Sequence, residues 1–162
     1  MKKRLIYWGA LLSAVLFSGC ATDHHPEKNW ETYTNTRYGF SIQYPSDWPI
    51  GMESDNGDGI QLYIGNPDAD IRAYAAIYDP EISDAFLIQD ENIKRQPATL
   101  DNGAPSTLLA GKENGVVHFE MVYISETDPP IEFHFYAKVS EQFFQDNEKI
   151  LMKIARSMNP NK

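Results

Sequence analysis

The sequence predicts an α+β domain, a meander of antiparallel strands closed by a C-terminal helix, and three observations predict it. Residues 116–124 set Val117, Phe119, Met121 and Tyr123 on one face at period two, and residues 131–139 do the same with Ile131, Phe133, Phe135, Ala137 and Val139. Between shorter runs the chain carries turn chemistry, including Asn102-Gly103, Asn114-Gly115 and Asp128-Pro129-Pro130, at spacings that suit hairpins rather than helical crossovers. Finally, Phe143, Asn147, Ile150, Leu151, Ile154 and Met158 recur at three and four residues, which is the stripe of an amphipathic helix.

The first element of the domain is the run from Tyr38 to Trp48. Phe40, Ile42 and Tyr44 share one face, Ser41 and Gln43 the other, and Pro45 removes a ladder donor so that pairing stops there. Trp48 is then free to fold back over the apolar face. Residues 49–59 read as a loop. Within it, Ser54 to Gly59 approaches a calcium loop, but Gly65 stands where a bidentate Glu is required, so a turn with positive backbone angles at Asn-Gly or Asp-Gly is the expectation. Ile60, Leu62 and Ile64 alternate in the next strand. Residues 71–78 follow with neither face strongly polar, which suits a central position in the sheet. Ser83 is the expected cap of a helix whose stripe is Ile82, Phe86, Gln89 and Ile93, with Asp84 at its positive end. Short strands are expected near 98–100 and 106–111. Ser140 is the expected cap of the last helix, with Glu141 in its first turn and Lys149, Lys153 and Arg156 toward its end.

Ahead of the domain, Lys2, Lys3 and Arg4 precede an apolar stretch from Leu5 to Phe17, the length of a signal peptide and short of the ~20 residues that span a bilayer. Its end, Leu16-Phe17-Ser18-Gly19-Cys20, resembles the bacterial lipoprotein lipobox, with Phe17 where Leu is usual. That resemblance implies lipid attachment at Cys20, an extracytoplasmic address, and the outer membrane in a cell that has one, since Ala21 and Thr22 are not the Asp of inner-membrane retention. The expected division is a signal peptide at 1–19, a lipidated tether at 20–33 and one folded domain at 34–162. His24 and His25 lie in the tether without a third fixed ligand and make a poor metal site. As the only cysteine, Cys20 has no intramolecular disulfide partner. Behind the leader remain eleven basic and twenty-three acidic residues, a formal charge of −12, which argues against nucleic acid and offers no basic patch to anionic lipid.

Tyr38-Gly39-Phe40, the strand, Pro45 and Trp48, followed by a twisted meander and a closing helix, resemble the PsbP-like family. The matching residues are Gly39, Phe40, Ile42, Pro45 and Trp48, and the resemblance covers most of 34–158. It implies an antiparallel sheet sandwiched by helices (α/β/α), with the C-terminal helix packed on the sheet, and a scaffold that binds or assists other proteins without a shared active site.

No Gly-x-Ser-x-Gly elbow, P-loop, His-Glu-x-x-His or dinucleotide fingerprint occurs. One constellation remains. If 116–124 pairs with 131–139, aligning the apolar faces restricts the register to an even index sum, for instance Tyr123 opposite Ile131. Glu120 then faces His134 and His118 faces Tyr136, gathering His118, Glu120, Glu132 and His134 on the second face. Such a face can simply stabilise the hairpin, can ligate a metal such as zinc, or can hold a His as general base. The leading expectation is a lipid-anchored, non-catalytic domain that binds or helps assemble another envelope protein and needs no cofactor. The alternative is a metal or small-ligand carrier using that His/Glu face.

Overall fold

Phe40, Ile42 and Tyr44 all turn inward along β2 (Phe40–Pro45), and Trp48 closes over them to meet Phe143 of the C-terminal helix, ring centroids 5.7 Å apart. In the computed structural model, which describes residues 29–83 and 92–160, β2 is the middle strand of a small sheet between β1 (Trp30–Asn35) and β10 (Asn159–Pro160). The large sheet comprises β3 (Ile50–Glu53), β4 (Gly59–Leu62), β5 (Asp70–Ile77), β6 (Ile93–Thr99), β7 (Pro105–Glu113), β8 (Val116–Ile124) and β9 (Ile131–Ser140). Its seven strands lie in the order β3-β4-β5-β9-β8-β7-β6, and every recorded pair is antiparallel. Helix α1 (Glu141–Arg156) follows β9 directly. The Ser140 hydroxyl accepts from Phe143 N, and Lys153 and Arg156 stand in the last turn.

One face of the large sheet is the core. Ile71, Ala73 and Ala75 of β5, Phe133, Phe135, Ala137 and Val139 of β9, and Val117, Phe119 and Met121 of β8 are buried there with Leu151, Ile154 and Ala155 of α1. The small sheet caps the same core, with the Phe40 and Phe133 rings edge to face at 5.8 Å. This is the expected α+β arrangement with the C-terminal helix on the sheet. The β7–β8 hairpin turns at Asn114 and Gly115, both at positive φ, as the twist of a two-residue hairpin demands.

The structure corrects the expected boundaries in five places. The tether does not run to residue 33: Trp30–Asn35 is a strand paired along its length with β2. Its period was concealed because the inward positions include Asn35, 1% exposed, whose amide donates to Tyr33 Oη and Gly57 O while Oδ1 accepts from Tyr38 N. The 49–59 loop contains β3, a short strand exposed at every residue, whose apolar positions have no buried face to mark them. Ser83 is not a helix cap, because residues 80–83 are already helical and Asp79 is the residue that accepts from Glu81 N. Ile93 opens β6 instead of closing a helix; Asp84, Phe86 and Gln89 lie outside the described residues. The short strand expected at 98–100 begins at Ile93 and runs through Pro97, which the sheet tolerates because β6 is its edge.

Gly57 supplies the positive φ of the Ser54–Asp58 turn, whereas Gly59 serves close approach. A Cβ on Gly59 would lie 2.2 Å from the Ala73 carbonyl oxygen and 2.5 Å from Tyr74 Cβ, so β4 cannot sit against β5 with any side chain there. Gly59→Ala is therefore expected to cost on the order of 2 kcal/mol by overpacking, and a urea melt of the variant beside Gly57→Ala, whose Cβ meets open space, separates strand contact from turn strain.

Candidate functional site

The second face of the large sheet carries the polar cluster. Strand alternation puts His118 and Glu120 of β8, Glu132, His134 and Tyr136 of β9, and Tyr74 of β5 on the side away from the core. The expected gathering of His118, Glu120, Glu132 and His134 is present, but the register differs. Val122 faces His134, Glu120 faces Tyr136 and His118 faces Lys138, so the index sum is even as required and two higher than that of a Tyr123–Ile131 pairing. The connection sets this: Ser125 N donates to Ile131 O and Ser125 Oγ accepts from Ile131 N, which fixes Ser125 opposite Ile131.

Glu120 is therefore diagonal to His134 and still reaches it. His134 Nδ1 lies 2.7 Å from Glu120 Oε1, and His118 Nε2 lies 3.1 Å from Glu120 Oε2. A carboxylate can only accept, so both ring nitrogens donate. His134 Nε2 faces Glu132 Oε2 at 3.5 Å, too long for a good hydrogen bond, and that buried nitrogen has no other partner among the described residues. Tyr74 stacks flat on the His134 ring at 4.6 Å between centroids, and the Tyr136 ring meets His118 edge-on at 5.2 Å.

Burial makes the ionised forms depend on these contacts. Glu120 is 6% exposed and His134 7%. Burial opposes the Glu120 carboxylate, but hydrogen bonds from His118 and His134, aided by their charge, outweigh it and hold the carboxyl at about 2. Burial likewise opposes the His134 imidazolium, and contacts with Glu120 and then Glu132 overcome it, raising that group to about 9. Burial, then the fields of Glu120 and Glu132, lift the Tyr74 phenol well above its ordinary value, so it stays neutral. At neutral pH the heart of the cluster is an imidazolium between two carboxylates.

A cleft of about 580 Å3 opens on this cluster, walled among the described residues by Tyr74, Ile82, Ile93, Leu109 and Tyr136, with Ser83 and Lys138 also lining it. Among the described residues no group of three His, Cys, Asp or Glu side chains is placed to hold a metal ion. One nitrogen of each imidazole is hydrogen-bonded to the single carboxylate of Glu120. Tyr74 and Leu109 were missing from the sequence-derived face; Tyr74 alternates to the right side of β5, but only the β5–β9 pairing, which sequence does not reveal, sets it directly across from His134. Cys20, His24 and His25 lie outside the described residues.

Neither a protein-family model nor a curated protein sequence matches the chain. Among solved structures it is similar to cyanobacterial PsbP (CyanoP) from Synechocystis sp. PCC 6803, with a TM-score of 0.59 and 15% identity over 83% of this chain and 94% of that one. It is similar also to Mog1p, a Ran-binding protein of Saccharomyces cerevisiae, with a TM-score of 0.50 and 10% identity over 82% and 96% of the two chains. A protein of Bacteroides thetaiotaomicron VPI-5482 aligns with a TM-score of 0.49 and 15% identity over 76% of this chain and 45% of its own. Likeness at such identities speaks to architecture: the chain has a PsbP-like α+β fold.

Proposed function

We propose that this chain is a membrane-tethered, extracytoplasmic binding module that carries out no reaction and engages another protein of the cell envelope. The observation that carries the non-catalytic part is how the buried polar cluster is spent. Both Glu120 oxygens accept from imidazole nitrogens, which hold its carboxyl at about 2 and make it a weak base, and His134 is held as an imidazolium, which has no basic lone pair. A fold shared with a Ran-binding protein is a precedent for a binding role on this scaffold, though not for the partner. The tether rests on the basic and apolar leader ending in Leu16-Phe17-Ser18-Gly19-Cys20. Two or three acyl chains at Cys20 would anchor stably where one would not, because each buried methylene contributes ~0.8 kcal/mol.

The test is fractionation and crosslinking of the lipidated protein in its own cells. The wild type is expected in the membrane fraction with a crosslinked envelope protein enriched beside it, and Cys20→Ser is expected to lose the membrane fraction. A wild-type chain recovered in the soluble fraction would contradict the anchor; a membrane-bound chain that never enriches a partner would contradict the module. The second reading, a small-ligand carrier, is favoured by the cleft above His134 and Glu132.

A further inference from the structure

Glu132 is the least satisfied charge in the cleft. Its side chain is only 13% exposed, and its one charged neighbour among the described residues is His134 Nε2 at 3.5 Å, a nitrogen that itself makes no hydrogen bond. Glu120 is different, since each of its oxygens accepts from an imidazole. Two carboxylates thus share one imidazolium, and among the described residues Glu132 has only this long contact and no short donor. Lys138 lines the same cleft but is exposed, where water screens it. The walls beside Glu132 are apolar or aromatic, from Tyr74, Leu109, Ile93 and Ile82, and the volume of about 580 Å3 is that of a small-molecule site.

We propose that this cleft binds a small amphipathic organic cation, an amine or guanidine on an apolar body, with Glu132 as its counter-ion. The ammonium or guanidinium supplies the donors that Glu132 lacks, and the body lies against Leu109, Ile93 and the Tyr74 ring. The positive charges beside the cleft are either spent on Glu120 or, at Lys138, exposed to water, so Glu132 is the charge a ligand meets in the wall, and a bare metal ion lacks three ligands among the described residues. This gives the small-ligand reading its chemistry and stands independently of the anchor and of any protein partner.

The test is a calorimetric titration of the full-length chain in non-ionic detergent at pH 8, where an ordinary imidazole is uncharged. The probes are benzylamine, benzyl alcohol and benzoate, alike in size and differing in charge. Benzylamine is expected to saturate one site and to bind at least about tenfold tighter than the other two, the worth of one charge-assisted hydrogen bond. Glu132→Gln is expected to remove that preference while leaving the melting temperature near wild type. Ile82→Lys, at a wall position 68% exposed and safe for the fold, is expected to weaken benzylamine and not benzyl alcohol. Equal binding of the three probes, no saturable benzylamine binding, or unchanged affinity in both variants would overturn the proposal and leave the membrane fractionation result untouched.

Discussion

Glu120→Ala is expected to destabilise the protein by about 3–5 kcal/mol, the cost of leaving a buried charge without its partner. The carboxylate is the common acceptor of His118 and His134, so its loss strands the donor of the buried His134 and removes the partner of the partly exposed His118. In a domain of this size the thermal midpoint should fall by roughly 10 °C or more. Most of the loss belongs to the stranded partner and not to the ion pair itself. Replacing Glu120 by Leu together with His134 by Phe should accordingly recover much of it, because an apolar pair of similar volume has no charge to desolvate. A double-mutant cycle by urea unfolding checks both statements. If Glu120→Ala and the wild type unfold alike, the cluster is not the buried ion pair described.

The second large effect is on pH dependence. His134 is raised from 6.5 to about 9 in the folded chain, so its contribution is complete below 6.5, where both folded and unfolded forms are protonated. Between 6.5 and about 9 the unfolded chain gives up the proton that the folded chain keeps, and stability declines as pH rises. Glu120 is lowered from 4.5 to about 2, so its contribution is complete above 4.5 and is lost as pH falls toward 2. The two describe one pair seen from each partner and are not added. Thermal melts are expected to show a plateau between about pH 4.5 and 6.5, with a fall toward pH 9 on the order of 3 kcal/mol that His134→Phe abolishes. A wild-type curve flat from pH 6.5 to 9 would contradict the pairing.

The elements that were legible in the sequence are those with one face on a core and the other away from it. β8 and α1 read correctly because alternation at period two and a stripe at three and four residues are direct records of burial. The candidate site follows from the same alternation, which puts His118, Glu120, Glu132 and His134 on one face. Register was another matter. Face alignment admits every even index sum, and the choice among them is made by Ser125 clasping Ile131, a loop contact with no periodic signature. β1 and β3 went unseen for a related reason: one turns Asn35 inward to stitch together Tyr33, Gly57 and Tyr38, and the other buries nothing. Tyr74 joined the site through β5–β9 pairing between strands more than fifty residues apart, which no local pattern encodes.

The protonation state of His134 tests the account most directly, because the ion pair, the absence of a free base and the charge left on Glu132 all depend on it. Nitrogen-15 imidazole spectra of the folded chain across pH 5 to 10 would report it. A His134 ring carrying protons on both nitrogens at pH 7.5, and titrating near 9, is the result predicted. A neutral ring at pH 7.5 with one unprotonated nitrogen would contradict it, and would return His134 to the candidates for a base or a metal ligand.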